Sequence, residues 1–181
     1  MTEELGRRIK KLVVDNMRDV PGFPQEGVLF HDITPLLANG PAFQETINLL
    51  CEHYEGLIDA IAGLESRGFV LAAPMATRMG IGMITIRKAG KLPGPVIGED
   101  YSIEYGIARM ELRPDSVEEG QRVLIIDDVL ATGGTARASV NLLEQCKAEV
   151  AGVAVLLELT ELKGRDKLEG LDVQSAVALS V

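Results

Sequence analysis

An α/β fold with a central, mostly parallel sheet flanked by helices is predicted by three features of the 181-residue sequence. Ile58 to Ile86 and Val123 to Leu157 each repeat a strand–helix–strand rhythm, the pattern of parallel βαβ units. Val123 to Ile126 is an unbroken apolar run rich in β-branched residues, as a strand buried on both faces of a parallel sheet requires. The hydrophobic content of 46% is enough to bury a sizeable core within one domain's length.

The elements follow in order. Leu5, Ile9, Leu12 and Val13 fall on one helical face, and Phe43, Ile47, Leu50 and Tyr54 fall on another, so two helices pack on the core. Ile58 to Leu64 reads as a strand, Phe69 to Gly80 as a helix and Met83 to Ile86 as a second strand. Lys88 to Gly120 is rich in Gly and Pro at its start and then alternates through Tyr101 to Tyr105 and Ala108 to Leu112, which predicts a mobile β-hairpin flap. Val123 to Ile126, Ala136 to Lys147 and Val150 to Leu157 complete the second unit. No internal repeat, low-complexity tract or linker is visible, so residues 1–181 read as a single domain.

The chemistry concentrates in Val123 to Thr135, V-L-I-I-D-D-V-L-A-T-G-G-T. Asp127 and Asp128 emerge at the carboxyl end of the buried strand, the edge where open α/β sheets bind ligands. Ala131, Thr132, Gly133, Gly134 and Thr135 follow at once. With no large side chains, their N–H groups can converge on an anion, and a helix starting near Ala136 points its positive dipole end there. A lone D-D or G-G is as readily an ordinary helix start; the continuous run instead suits a phosphate cradle beside acceptors for hydroxyls or metal-bound water. Neither a G-x-x-x-x-G-K-[ST] loop nor a G-x-G-x-x-G fingerprint occurs.

Charge narrows the ligand class. The formal charge of −9 and pI near 4.8 argue against a nucleic-acid or membrane-surface partner. Against that background Arg67, in the Ser66-Arg67-Gly68 turn, and Arg87, Lys88 and Lys91 at the root of the flap are clustered cations that suit an anion better than a solvated face. The N-terminus lacks a long apolar stretch, no segment approaches a membrane span, and a cytoplasmic location is expected. Cys51 and Cys146 are isolated and read as reduced, buried thiols.

The thirteen-residue run resembles the phosphoribosyl-diphosphate-binding motif of the type I phosphoribosyltransferases, and its A-T-G-G-T ending is similar to that of the adenine phosphoribosyltransferases. F-P-Q-E-G-V-L-F-H-D-I-T-P-L-L from Phe23, E-S-R-G-F from Glu65, I-R-K-A-G-K-L-P-G from Ile86, Y-S-I-E-Y-G from Tyr101 and L-T-E-L-K-G-R from Leu159 are similar to the matching segments, in order. The resemblance covers nearly the whole chain. It implies the type I fold, with an N-terminal hood over 1–40 contributing to the base pocket, a flexible flap over 88–120, a homodimer, Mg2+, and purine salvage from adenine and 5-phosphoribosyl 1-diphosphate to AMP and diphosphate.

Site roles are likewise what the resemblance implies. Ala131 to Thr135 anchor the 5′-phosphate; Asp127 and Asp128 accept the ribose hydroxyls and hold the metal through water; Ser66, Arg67, Arg87, Lys88 and Lys91 meet the diphosphate, in part across a dimer interface. A cis peptide joins Glu65 to Ser66. Glu104 faces N7 of adenine and donates or shares a proton, its pKa raised by enclosure, and Tyr105 helps to close the lid. Arg67 also offsets charge developing on diphosphate. Leu29, Phe30 and His31 line the purine, with Phe30 and Leu130 as apolar faces; His31 departs from the commoner arginine, lysine or tyrosine. A transferase for another base, or a non-catalytic sensor of phosphoribosyl diphosphate, is the alternative. A sensor should carry a DNA-binding extension and a basic surface, and neither is evident.

Overall fold

Helix α1 (Glu3–Asp15) begins where Thr2 Oγ1 accepts the Leu5 amide, and Glu3 and Glu4 in its first turn complement the helix dipole. The computed structural model describes residues 2–23, 25–103 and 106–180. In it α1 buries Leu5, Ile9 and Val13, with Leu12 at the edge, as their spacing predicts. Strands β1 (Arg18–Pro21) and β2 (Leu29–Asp32) then pair antiparallel as a separate ribbon. The Asp32 carboxylate ends the ribbon and starts helix α2 (Thr34–Ala38), accepting from the amide and hydroxyl of Thr34 and from Arg18. Those three donors, the Thr34 amide foremost, hold its pKa below the usual carboxylate range. Helix α3 (Gly40–Tyr54) buries Ile47, Leu50 and Tyr54 and packs Phe43 at the margin.

The main sheet is built from β3 (Ala60–Leu64), helix α4 (Arg67–Met79), β4 (Gly82–Lys88), the hairpin β5 (Ile97–Ile103) and β6 (Gly106–Leu112), β7 (Arg122–Leu130), helix α5 (Gly134–Gln145), β8 (Glu149–Leu159) and β9 (Val173–Leu179). The strand order is β5-β6-β4-β3-β7-β8-β9. The five strands from β4 to β9 run parallel, and the hairpin joins the β4 edge antiparallel. Side chains of β7 alternate between two cores: Leu124 and Ile126 pack with residues of α1, α3 and α4, and Val123 and Ile125 with residues of α5. This is the predicted doubly covered α/β sheet. Among the described residues no helix is long and apolar enough to cross a membrane.

Several boundaries move. β7 does not end at Ile126: it runs through both aspartates to Leu130, because the long neighbour β8 continues to supply partners from Asp127↔Val155 to Leu130↔Glu158. Helix α4 starts at Arg67 and α5 at Gly134, each two residues before the apolar periodicity begins. The β1–β2 ribbon, α2 and β9 were not picked out from the sequence. Their local patterns are short, and tertiary pairing is what stabilises them.

The hairpin has two regimes. Met110 and Leu112 of β6 are wholly buried with Ile84 and Ile86 of β4, whereas Ile107, nearer the tip, is 76% exposed. Pairing with β4 is confined to Arg87↔Glu111 and Lys88↔Met110. Leu112→Ala should therefore lower stability by about 2–5 kcal/mol in urea unfolding, and Ile107→Ala by less than about 0.5 kcal/mol. Equal losses would contradict this division.

Candidate active site

The site arises from a mismatch in strand length. β3 pairs with β7 only as far as Gly63↔Ile126, so the β3 side of β7 opens at Asp127. The turn at Glu65 and Ser66 and the first residues of α4 form the opposite wall. Gly68 lets them approach: a β-carbon there would lie 2.5 Å from the Ile126 carbonyl oxygen and 3.2 Å from Asp127 Oδ1. At Gly63 a β-carbon would meet Ala72 Cβ at 2.8 Å. The Glu65–Ser66 peptide is cis, as expected.

Charged groups fasten this turn. Glu65 accepts Arg87 Nη2 at 2.8 Å and the Lys88 amide at 2.9 Å, and the Arg87 guanidinium holds its pKa below the usual glutamate range. Arg87 also donates to the Lys91 carbonyl at 2.9 Å and lies over the Phe69 ring. Its two terminal nitrogens thus hold the turn, while Arg87 Nε is buried without a partner among the described residues. Lys88, by contrast, joins Ser66, Arg67, Asp127 and Asp128 around an open recess of about 320 Å³, which Lys91 does not line.

Within the recess, Arg67 Nε stands 2.6 Å from Asp128 Oδ2, and its guanidinium carbon is 5.3 Å from the Phe30 ring centre. The Asp128 side chain is 5% exposed. Its amide donates to Asp127 Oδ1 at 2.9 Å. Burial pushes the pKa of Asp127 well up, reinforced by the neighbouring Asp128 charge. Burial raises Asp128 too, against the opposing pull of Arg67. The pair is a dense set of acceptors in need of donors.

The Gly-rich loop lies next to it. Gly133 adopts φ +74°, where a β-carbon would fall 2.3 Å from the Gly164 carbonyl oxygen. Having no side chain, it leaves the first-turn amides of α5 without a side-chain cap. Ala131 to Thr135 line a recess of about 170 Å³ with Asp127, and Leu130, 2% exposed, lines it from the core.

Gly164 is itself held by a network the sequence reading missed. Glu158 accepts Arg165 Nε at 2.8 Å and Nη2 at 2.6 Å, and the Ser175 hydroxyl at 2.6 Å. Arg165 further donates to the Val173 carbonyl at 2.7 Å. Arg165 lowers the Glu158 pKa, and Ser175 adds to the effect. The signal was present in L-T-E-L-K-G-R, a matched segment to which no role had been attached. Val129, which lines both recesses, and Gly68 also went unnoticed.

The ribbon supplies the remaining predicted residues. Phe30 meets Arg67 and, edge-on, Phe23 at 5.2 Å. Leu29 is 36% exposed. His31 is turned to Asp19, with Nδ1 2.7 Å from Oδ1, and its Nε2 is buried without a partner among the described residues. Glu104 and Tyr105, the predicted acid and its lid neighbour, lie outside the described residues.

Comparison with known proteins bears on the same residues. The family model for the phosphoribosyl transferase domain matches residues 34–180. The chain is 49% identical to adenine phosphoribosyltransferase of Thermobifida fusca over 168 residues, 92% of this chain and 96% of that protein. It is similar to the crystal structure of adenine phosphoribosyltransferase from Thermoanaerobacter pseudethanolicus, at 43% identity and TM-score 0.89 over 94% of this chain and 99% of that one. The Saccharomyces cerevisiae adenine phosphoribosyltransferase complexed with an imino-altritol bisphosphate and adenine is 37% identical, with TM-score 0.89 over 93% and 98% of the two chains.

Arg165→Ala would leave Glu158 with its guanidinium partner removed. The Glu158 side chain is 9% exposed and that of Arg165 46%, so the cost should fall between those of surface and buried pairs, about 2 kcal/mol in urea unfolding. Because the folded pKa of Glu158 is lowered, its stabilisation is present above the ordinary glutamate value of about 4.3 and is lost as pH falls through the folded value. Glu158→Gln should flatten that acid limb relative to the parent; an unchanged limb would show that the pair contributes nothing.

Proposed function

The chain belongs to the phosphoribosyl transferase family, and we infer that it transfers the phosphoribosyl group of 5-phosphoribosyl 1-diphosphate to adenine, giving AMP and diphosphate. The observation that carries this reading is one juxtaposition: Asp127 and Asp128 share a cleft with Arg67, and Asp127 also lines the adjoining Ala131–Thr135 recess. A 5′-phosphate in the cradle meets the amides at the start of α5. The ribose hydroxyls then donate to Asp127 and Asp128, and the diphosphate meets Arg67, Lys88 and the Ser66 turn. The Phe23–Phe30 pair beside Arg67 supports placing the base against the ribbon at Leu29, Phe30 and His31, with Leu130 contributing apolar surface from the cradle side.

In the transfer, the bond from C1 of the ribose to the diphosphate oxygen breaks and its electron pair leaves with diphosphate, while N9 of adenine bonds to C1. Positive charge builds on the ribose as in other glycosyl transfers. The chain orients the two reactants and stabilises the departing anion. Without substrate, Arg67 and Asp128 satisfy each other. On binding, the diphosphate competes for Arg67 and the ribose hydroxyls for Asp128. As N9 bonds to C1 the base gives up its imidazole proton from N7 to the Glu104 carboxylate, which shares it there, and Tyr105 closes over the leaving group. Arg87 acts through the Glu65 turn that it holds; Lys91 is left for diphosphate reached across a homodimer.

Among the described residues no three His, Cys, Asp or Glu side chains are grouped to hold a metal. The donor set, two adjacent carboxylates with one on Arg67, fits Mg2+ arriving with the substrate, which Asp127 and Asp128 would hold through water and which would offset charge on the diphosphate. Cys51 and Cys146 are free thiols, which supports a cytoplasmic site of action.

Purified protein supplied with magnesium and phosphoribosyl diphosphate should consume adenine in preference to hypoxanthine, guanine or xanthine. Glu104→Ala should slow turnover by about 10²- to 10⁴-fold, the range of general acid–base catalysis. Preference for an oxopurine would overturn the base assignment, and binding of phosphoribosyl diphosphate with turnover of no base would favour a sensor.

A further inference from the structure

The hairpin strand β5 touches helix α5 at two levels. At its middle, the Glu99 carboxylate accepts Asn141 Nδ2 at 2.7 Å on Oε1 and Gln145 Nε2 at 3.1 Å on Oε2. Asn141 and Gln145 are four residues apart and so stand on one face of α5. Arg137, one turn earlier, donates Nε–H to Asn141 Oδ1 at 2.9 Å. That bond fixes which end of the amide faces Glu99. At the start of the helix, Tyr101 lies across Gly134: a β-carbon there would be 2.8 Å from Tyr101 Cδ2. Glu99 and Tyr101 are two apart on β5 and share one face of it. A pocket of about 220 Å³ between strand and helix is lined in part by Glu99, Tyr101, Gly134, Arg137, Asn141 and Lys167.

We propose that Asn141 and Gln145 are positioning residues: their amides hold the Glu99 carboxylate and so set the flap strand over the phosphate cradle. The physical argument is one of leverage. Gly134 belongs to the cradle, and Tyr101 can rest on it only while β5 keeps its height along α5. Pairing between β5 and β6 fixes the hairpin internally from Ile97↔Leu112 to Ile103↔Gly106, but β6 reaches β4 only at its far end. The exposed half of the hairpin therefore takes its placement from α5. A carboxylate bound by two amides, one of them oriented by a guanidinium, is a directional anchor that apolar packing alone would not supply.

The inference rests on the transferase reading, so the test separates the two. Asn141→Asp places a second carboxylate against Glu99, while Arg137 keeps an acceptor at residue 141 and α5 keeps its fold. Loss of a hydrogen bond to a charged group corresponds to roughly a tenfold effect. In the full-length protein we expect kcat/KM for phosphoribosyl diphosphate to fall about tenfold on that scale, mainly through KM, and amide exchange across residues 97–103 to quicken. The melting temperature should fall by no more than a few degrees, as for the loss of one hydrogen bond. Adding Glu99→Gln to Asn141→Asp restores an amide–carboxylate pair in the reverse sense and should return both readouts to near the parent. Glu99→Ala alone should reproduce the loss. Parent-like kinetics and exchange in Asn141→Asp, or a loss that Glu99→Gln does not recover, would overturn the proposal. Should the parent turn over no base, the transferase reading fails, and the exchange measurement, which needs no substrate, still decides the anchor.

Discussion

Backbone contact between the start of α4 and the carboxyl half of β7 is the constraint on which the rest of the site depends. At Gly68 no side chain intervenes, and even one carbon would strike the Ile126 carbonyl. That approach brings Arg67 within 2.6 Å of Asp128, and it places the Glu65 and Ser66 turn where β3 stops and β7 continues. Gly63 repeats the device one layer down, admitting Ala72 of α4 against β3. The cleft is thus a consequence of glycine placement and unequal strand length, and the side chains of Arg67 and Asp128 are fitted to it.

The cradle is built on the same economy of space. Gly133 and Gly164 meet backbone to backbone, and at Gly164 a β-carbon would lie 2.1 Å from the Ala131 carbonyl oxygen. Two loops far apart in sequence are thereby locked, one carrying amides for an anion and the other carrying Arg165. The Glu158–Arg165–Ser175 network anchors the second loop to β8 and β9. Phosphate binding by free amides depends on their being fixed before the ligand arrives, because ordering them on binding would cost affinity. The ion pair fixes the Gly164 loop from behind the proposed phosphate cradle.

The sheet and its two βαβ units were legible because long apolar runs and helical periodicity carry their own signal. The site was legible where one continuous run held the chemistry, from Asp127 to Thr135. Asp127 and Asp128 were read as lying beyond the strand, because two carboxylates resemble a strand end; pairing with β8 overrides that local pattern. The role of Arg87 was read from its charge, whereas its geometry ties it to Glu65 and the Lys91 carbonyl. Glu158, Arg165 and Ser175 come together only through the parallel pairing of β8 with β9, a relation that no spacing in the sequence encodes. The ribbon was equally silent. Four-residue strands are too short for periodicity to distinguish them from loop.

An acidic protein can serve a polyanionic substrate because its local balance differs from its net charge. Of the acids around the recess, Glu65 is already answered by Arg87 and by the Lys88 amide. Burial opposes ionisation of Asp127 and Asp128, and Arg67 pulls against it at both, through direct contact at Asp128. The remaining acceptors are matched to hydroxyl donors, and hydroxyls carry no charge to repel. Displacing Arg67 from Asp128 costs an ion pair; in the proposed binding mode the same step would free a guanidinium for the diphosphate and replace one partner of Asp128 with the ribose. On that proposal both halves of the substrate must be present for the exchange to balance, and the pair would favour a ligand carrying a diol and a diphosphate on one frame over either group alone.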